Sequence, residues 1–131
     1  MPQIVQADAR QIPLTDGSVH CIATSPPYLG LRRYRAEGFI GLEASVDEWL
    51  ANLVAVFREC RRVLHPSGTL WVNCGDAFSD DTKWGGTTGG KHVEGLHGEP
   101  VGRMKRNTNS KGPMMLPERL AWALREDGWT L

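Results

Sequence analysis

The chain has 131 residues, enough for one small domain, and its 40% hydrophobic and 23% charged residues are the balance of an ordinary globular protein rather than a disordered or fibrous one. Fifteen basic and 15 acidic side chains leave no net charge, so any surface for nucleic acid has to be local. No stretch of about 18 apolar residues is present to span a membrane, the opening Met-Pro-Gln-Ile-Val-Gln-Ala-Asp lacks the layout of a signal peptide, and a cytoplasmic location is expected.

In chain order, Ile4-Val5-Gln6-Ala7 reads as a short strand ending at Asp8, followed by Pro13 and the turn signal Thr15-Asp16-Gly17-Ser18. Val19 to Ala23 is an apolar run interrupted only by His20, the pattern of a strand buried on both faces. It ends in Thr24-Ser25-Pro26-Pro27-Tyr28, a corner that two prolines stiffen and that can neither pair in a sheet nor continue a helix. Ser45-Val46-Asp47-Glu48 fits a capping box, and Trp49, Leu50, Leu53, Val56, Phe57, Cys60, Val63 and Leu64 then recur at helical spacing. The helix is expected to stop before His65-Pro66-Ser67-Gly68.

Thr69 to Cys74 reads as the next strand, followed by Gly75-Asp76. Periodicity disappears over residues 77–113, a Gly-rich, basic segment long enough to mark a functional or flexible loop. Leu116-Pro117-Glu118-Arg119-Leu120 opens a second helix that Gly128 closes, and Trp129-Thr130-Leu131 looks like the start of another strand. Trp49 and Trp71 are expected in the core and Trp84 in the loop. The three cysteines, Cys21, Cys60 and Cys74, each sit in an apolar run and read as buried thiols of a reducing compartment. His92 and His97 with Cys74 match no compact zinc spacing, so no metal site is expected.

Strands alternating with helices predict an α/β fold with a mostly parallel sheet flanked by helices. In such sheets ligands bind beyond the carboxyl ends of the strands, and Asp8, Ser25-Pro26-Pro27-Tyr28 and Gly75-Asp76 all fall at such ends. A serine hydroxyl beside a rigidly held proline carbonyl makes two acceptors suited to the two hydrogens of an amino group. Tyr28 adds a flat face for a planar base. Fixing both hydrogens of an aromatic amine favours a pyramidal nitrogen and aims its lone pair at an electrophile, which is catalysis by positioning. If the amine belongs to a base in duplex DNA, that base must first be flipped out. Taken alone, the tetrapeptide is also compatible with a plain surface turn.

The block IVQADARQIPLTDGSVHCIATSPPYLGLRRY resembles the opening of DNA amino-methyltransferases, the class that methylates exocyclic nitrogens of cytosine or adenine. The blocks IGLEASVDEWLANLVAVFRECRRVLHPSGTLWVNCGD and KGPMMLPERLAWALREDGWTL are similar to the next two blocks of that family, in the same order. The resemblance implies a Rossmann-like methyltransferase fold, a catalytic tetrapeptide at Ser25, Pro26, Pro27 and Tyr28, and S-adenosylmethionine as methyl donor. It also implies contacts to that cofactor from Asp8, Ala9, Thr24 and Ser25. Serine at the first position leans towards cytosine N4 over adenine N6 and counts against the related glutamine-methylating enzymes of release factors.

The sequence departs from the family pattern in one respect. No Phe-x-Gly-x-Gly type loop is present, and in this subclass that loop comes near the C-terminus. A chain of residues 1–131 is therefore expected to be the N-terminal catalytic part of a methyltransferase domain, short of several strands and of the glycine loop. Its uncovered sheet is expected to dimerise or to take a partner, and the chain alone to be weak or inactive. For DNA, Arg32, Arg33 and Tyr34 read either as phosphate contacts or as a solvated charged turn. Lys105 and Arg106 lie in the basic loop, whose composition fits a DNA-contacting lid or simple disorder. The reading to set against the enzyme is a non-catalytic remnant that binds nucleic acid or protein.

Overall fold

The computed structural model describes residue 2, residues 4–33, 38–77, 99–100 and 112–131; side chains at 32, 33, 99 and 100 are not described. Its elements are β1 (Val19–Thr24), β2 (Arg32–Arg33), α1 (Val46–Val63), β3 (Leu64–Val72), β4 (Glu99–Pro100) and α2 (Leu116–Glu126). β1 and β3 run parallel with α1 as their connection, and β2 pairs antiparallel with β4. The α/β class and the parallel pairing expected from the alternation of elements are both present.

α1 starts where the chemistry of its first turn says it should. Ser45 Oγ accepts from the Glu48 amide at 3.1 Å, while the Glu48 carboxylate accepts from the Ala44 amide at 3.2 Å, one residue beyond the N-cap amide of the expected reciprocal box. Asp47 and Glu48 lie in the first turn and Arg61 and Arg62 in the last, both matching the helix dipole. Trp49, Leu53, Phe57, Cys60 and Val63 form the buried stripe. The Leu64 amide still bonds to the Cys60 carbonyl, and the chain passes directly into extended backbone.

The parallel register joins Cys21–Thr24 to Thr69–Val72. The additional Val19–Leu64 pairing sits across an irregularity, so His65-Pro66-Ser67-Gly68 bulges out between the two pairings. Gly68 belongs there: a Cβ would lie 2.8 Å from Leu64 Cδ2 and 3.1 Å from the Val19 carbonyl. α2 buries Leu116, Leu120 and Leu124 at four-residue spacing against α1, and Gly128, at φ +97°, closes it.

Ile22, Leu70 and Val72 present one face of the sheet to the core formed by Leu29, Trp49, Leu53, Phe57 and the three α2 leucines. The alternate residues point the other way. Cys21 is exposed and Trp71 retains 67% of its surface, so a strand buried on both faces, a buried Cys21 and a core Trp71 are all overturned. The cause is that, among the described residues, helices cover one face only. Cys60 and Cys74 are sheltered, and burial pushes both thiols up, so they stay protonated near neutrality.

Two expected strands are absent. Residues 4–8 form no strand and Ile4 is fully exposed, since no neighbouring strand pairs with them among the described residues. Trp129-Thr130-Leu131 is irregular, its first amide bonded back to Leu124 O at 3.0 Å. Among the described residues, no helix is long and apolar enough to cross a membrane.

Candidate active site

The corner after β1 is held from three sides. Asn73 donates its amide to the Thr24 carbonyl at 2.9 Å, which keeps the carboxyl ends of β1 and β3 side by side. Prolines 26 and 27 have no amide hydrogen, so the loop cannot brace itself with its own donors at those positions. Its neighbours supply them instead. The Trp49 indole Nε1 donates to the Pro27 carbonyl at 3.0 Å, and the Leu31 amide reaches the Tyr28 carbonyl at 3.4 Å. The Tyr28 hydroxyl donates to the Asn73 carbonyl at a long 3.5 Å, and the ring lies flat enough on Gly75 that a Cβ there would be 2.9 Å from Tyr28 Cε2.

This bracing decides which oxygens remain. Pro27 O is committed to Trp49, whereas, among the described residues, Ser25 Oγ and Pro26 O are engaged by no neighbour. Ser25 is exposed, Pro26 buried, and Tyr28 half-buried. Two adjacent acceptors beside a tethered aromatic ring are what an incoming amino group on a planar base requires.

Behind the corner, Gly30 donates to Gly41 O at 2.6 Å and the Gly41 amide donates to Glu43 Oε2 at 2.9 Å. The other oxygen of the buried Glu43 accepts from Asn52 Nδ2 at 2.9 Å. Gly41, at φ +118°, passes so close that a Cβ would meet Tyr28 O at 3.1 Å and Pro27 Cβ at 3.3 Å. Residues 38–43 are therefore the back wall of the site. In the sequence Trp49 reads as core and Gly75 as a residue beyond a strand end, and nothing there points to Gly41, Glu43 or Asn52 as supports of the corner. Only Trp49 carried a signal, since a buried indole needs an acceptor for its N–H.

The other predicted residues divide. Thr24 and Ser25 stand at the β1 end, as expected. Asp8 and Ala9 occupy an exposed turn in which the Asp8 carboxylate takes the Arg10 amide at 2.9 Å and its Nη2 at 2.7 Å. These hydrogen bonds from Arg10 hold the Asp8 carboxyl down at about 2, so it is ionised throughout the physiological range. Arg10 Nη2 lies 3.7 Å from where a Gly38 Cβ would sit, which brings this turn against the back wall. Arg32 and Arg33 form β2, with Arg33 opposite Glu99 and Arg32 opposite Pro100. Tyr34, Trp84, Lys105 and Arg106 lie outside the described residues, as does most of the 77–113 segment.

At the far end of β3, Asp76 accepts from the amides of Ala77 at 2.8 Å, Met115 at 3.1 Å and Leu116 at 3.0 Å. The Met114 amide bonds to Ala77 O at 2.7 Å. Residues 76–77 and 114–116 are thus bound to one another, and Asp76 follows directly on the Gly75–Tyr28 contact.

Residues 19–129 match the sequence model of a family described as DNA methylase, of the N6/N4 methyltransferase class. The chain is 42% identical over 122 residues to Type II methyltransferase M.XycI of Xanthomonas campestris pv. cyanopsidis and, equally, to M.Cfr9I of Citrobacter freundii; each match covers 90% of this chain and 39% of the relative. It is 37% identical over 138 residues to Type II methyltransferase M.SmaI of Serratia marcescens, covering 98% of this chain and 44% of that protein. The chain spans about two-fifths of the length of these relatives. No solved structure matches it. Since the family match runs unbroken from the first residue of β1 past the end of α2 and takes in the whole Ser-Pro-Pro-Tyr corner, the chain belongs to the N6/N4 DNA methylase family.

Proposed function

We propose that this chain carries the catalytic part of a DNA amino-methyltransferase of partial Rossmann-like fold. It would act on the exocyclic amino group of cytosine (N4) or adenine (N6), with serine at position 25 favouring cytosine. The observation that carries the reading is the bracing of the corner. Trp49 occupies the Pro27 carbonyl, and among the described residues Ser25 Oγ and Pro26 O, just ahead of Tyr28 in the chain, are engaged by no neighbour.

The flipped base stacks on Tyr28, and its amino hydrogens donate to Ser25 Oγ and Pro26 O. With both hydrogens held, the nitrogen lone pair leaves the ring system and points at the electrophile. The exposed strand ends, with the ionised Asp8 in its turn beside the back wall, fit a cationic nucleoside donor. Asp8, Ala9, Thr24 and Ser25 would hold S-adenosylmethionine, which supplies an electrophilic methyl group when bound. The methylated nitrogen sheds its extra proton to water at the exposed Ser25 side. DNA is the partner, with Arg32, Arg33, Tyr34, Lys105 and Arg106 as candidate phosphate contacts.

Transfer of labelled methyl from S-adenosylmethionine to unmethylated DNA tests the reading, with digestion to nucleosides to identify the product. The expected result is N4-methylcytosine or N6-methyladenine, with incorporation falling on the order of a hundredfold in Ser25→Ala. Equal incorporation by the Ser25→Ala protein overturns it. A second reading draws on the uncovered sheet face that bears Trp71: a non-catalytic module binding nucleic acid or protein. It predicts no transfer by either protein.

A further inference from the structure

We infer that α1 is the clamp of the active-site corner, with Trp49 and the Asn52–Glu43 pair as positioning residues that select the Pro26 carbonyl, rather than that of Pro27, as the second acceptor for the amine. The inference rests on the function proposed above but adds residues that lie outside the Ser-Pro-Pro-Tyr tetrapeptide.

A loop with two consecutive prolines has two carbonyls in rigid succession and no amides at those positions to fix their orientation. Something outside the loop must decide which carbonyl faces the base. Trp49 is completely buried, so its N–H has no access to water and has one place to go, the Pro27 carbonyl 3.0 Å away. That bond turns Pro27 O inward and removes it from competition. Asn52 is three residues further along, on the same side of the helix. It orients Glu43, Glu43 holds the Gly41 amide, and Gly41 O anchors the Gly30 amide at the far end of the corner. One helix face therefore grips the corner at Pro27 and at Gly30, with Tyr28 between the two grips and Ser25 and Pro26 directly ahead of the first. Displacing a reacting group by about 1 Å is enough to lower a rate by two orders of magnitude, so a clamp of this kind acts on turnover more than on binding.

Trp49→Phe deletes the donor while keeping most of the buried ring, and Glu43→Gln replaces one of the two acceptor oxygens with an amide. Tyr28 labelled with 3-fluorotyrosine in a Tyr34→Phe background gives a single fluorine resonance that reports the corner without any need for activity. The expected result is a shifted or broadened resonance in Trp49→Phe and in Glu43→Gln, and an unmoved one in Phe57→Leu, an equally buried α1 substitution that touches no loop carbonyl. Methyl transfer is expected to lose ten- to hundredfold in kcat in both clamp variants, with KM for DNA within about twofold. Should Trp49→Phe fail to fold, Glu43→Gln reads the same clamp from its other end. A resonance that stays in place in the clamp variants overturns the inference, as does a loss carried wholly in KM. Absence of methyl transfer by the parent chain alone, which is expected to be weak or inactive, leaves the clamp to be decided by the fluorine spectrum.

Discussion

A methyl group at Gly75 would sit 2.9 Å from Cε2 and 3.3 Å from Cδ2 of Tyr28, closer than real carbon contacts come. The backbone there is not left-handed, so the constraint on Gly75 is the ring and nothing else. Gly75→Ala must push Tyr28 off its seat. We expect methyl transfer to fall at least about tenfold, while chemical denaturation registers a loss of about 1–3 kcal/mol, the usual range for overpacking. An alanine variant with parental turnover would show that Tyr28 does not need this seat. Gly41 is constrained twice, by its φ of +118° and by Tyr28 O and Pro27 Cβ behind it. The Ser-Pro-Pro-Tyr residues were legible in the sequence because their chemistry is written in their own side chains and missing amides. The glycines and Glu43 that seat them were not, since their role lies in contacts that close over long sequence separations.

Among the elements, the two helices were the most legible, and for local reasons: a serine cap, a four- and three-residue apolar stripe, and a closing glycine are all readable within one turn or two. The sheet was less so. An apolar run such as Val19 to Ala23 reports strand character but not how many faces are covered, which depends on helices elsewhere in the chain. Hence Trp71 and Cys21 came out exposed. α2 shows a further non-local device. Its N-cap residue, Met115, offers no side-chain oxygen and sits at φ 57°, so the first turn borrows its acceptor from Asp76, about 40 residues upstream. Removing that carboxylate leaves two helix amides and the Ala77 amide unpaired. Asp76→Ala is expected to lower the unfolding free energy by about 1–2 kcal/mol, the range of a lost N-cap, and to shift the urea midpoint accordingly. An unchanged midpoint would mean the cap is dispensable.

Across the whole molecule, ion pairs tie segments that are far apart in the chain. Arg62 bonds to Glu59 at 2.7 Å, to Asp16, and to the carbonyls of Ile12 and Leu14, while Glu59 accepts the Ile12 amide, so the turn region before β1 is stitched to the end of α1. Arg58 and Arg61 grip Asp127 at 2.6 and 3.2 Å, joining α1 to the end of α2. Hydrogen bonds from Arg58 hold the Asp127 carboxyl below its usual range, those from Arg62 do the same for Glu59, and those from Arg10 bring Asp8 to about 2. A carboxyl depressed in the folded state stabilises the fold above its unfolded value, near 4, and loses that contribution as pH falls through the folded value. Thermal stability should therefore be flat from about pH 7 to 5 and decline from about pH 4 towards pH 2. Arg58 and Arg61 are well exposed, so solvent screens their share, and the slope should be gentle rather than cliff-like. Asp127→Asn keeps the shape of the side chain but cannot titrate. Its melting temperature should be lower than the parent's at pH 7, and the two curves should converge as the pH approaches 2. If the curves instead stay parallel across that range, the arginine clasp on Asp127 is not what makes the fold sensitive to acid.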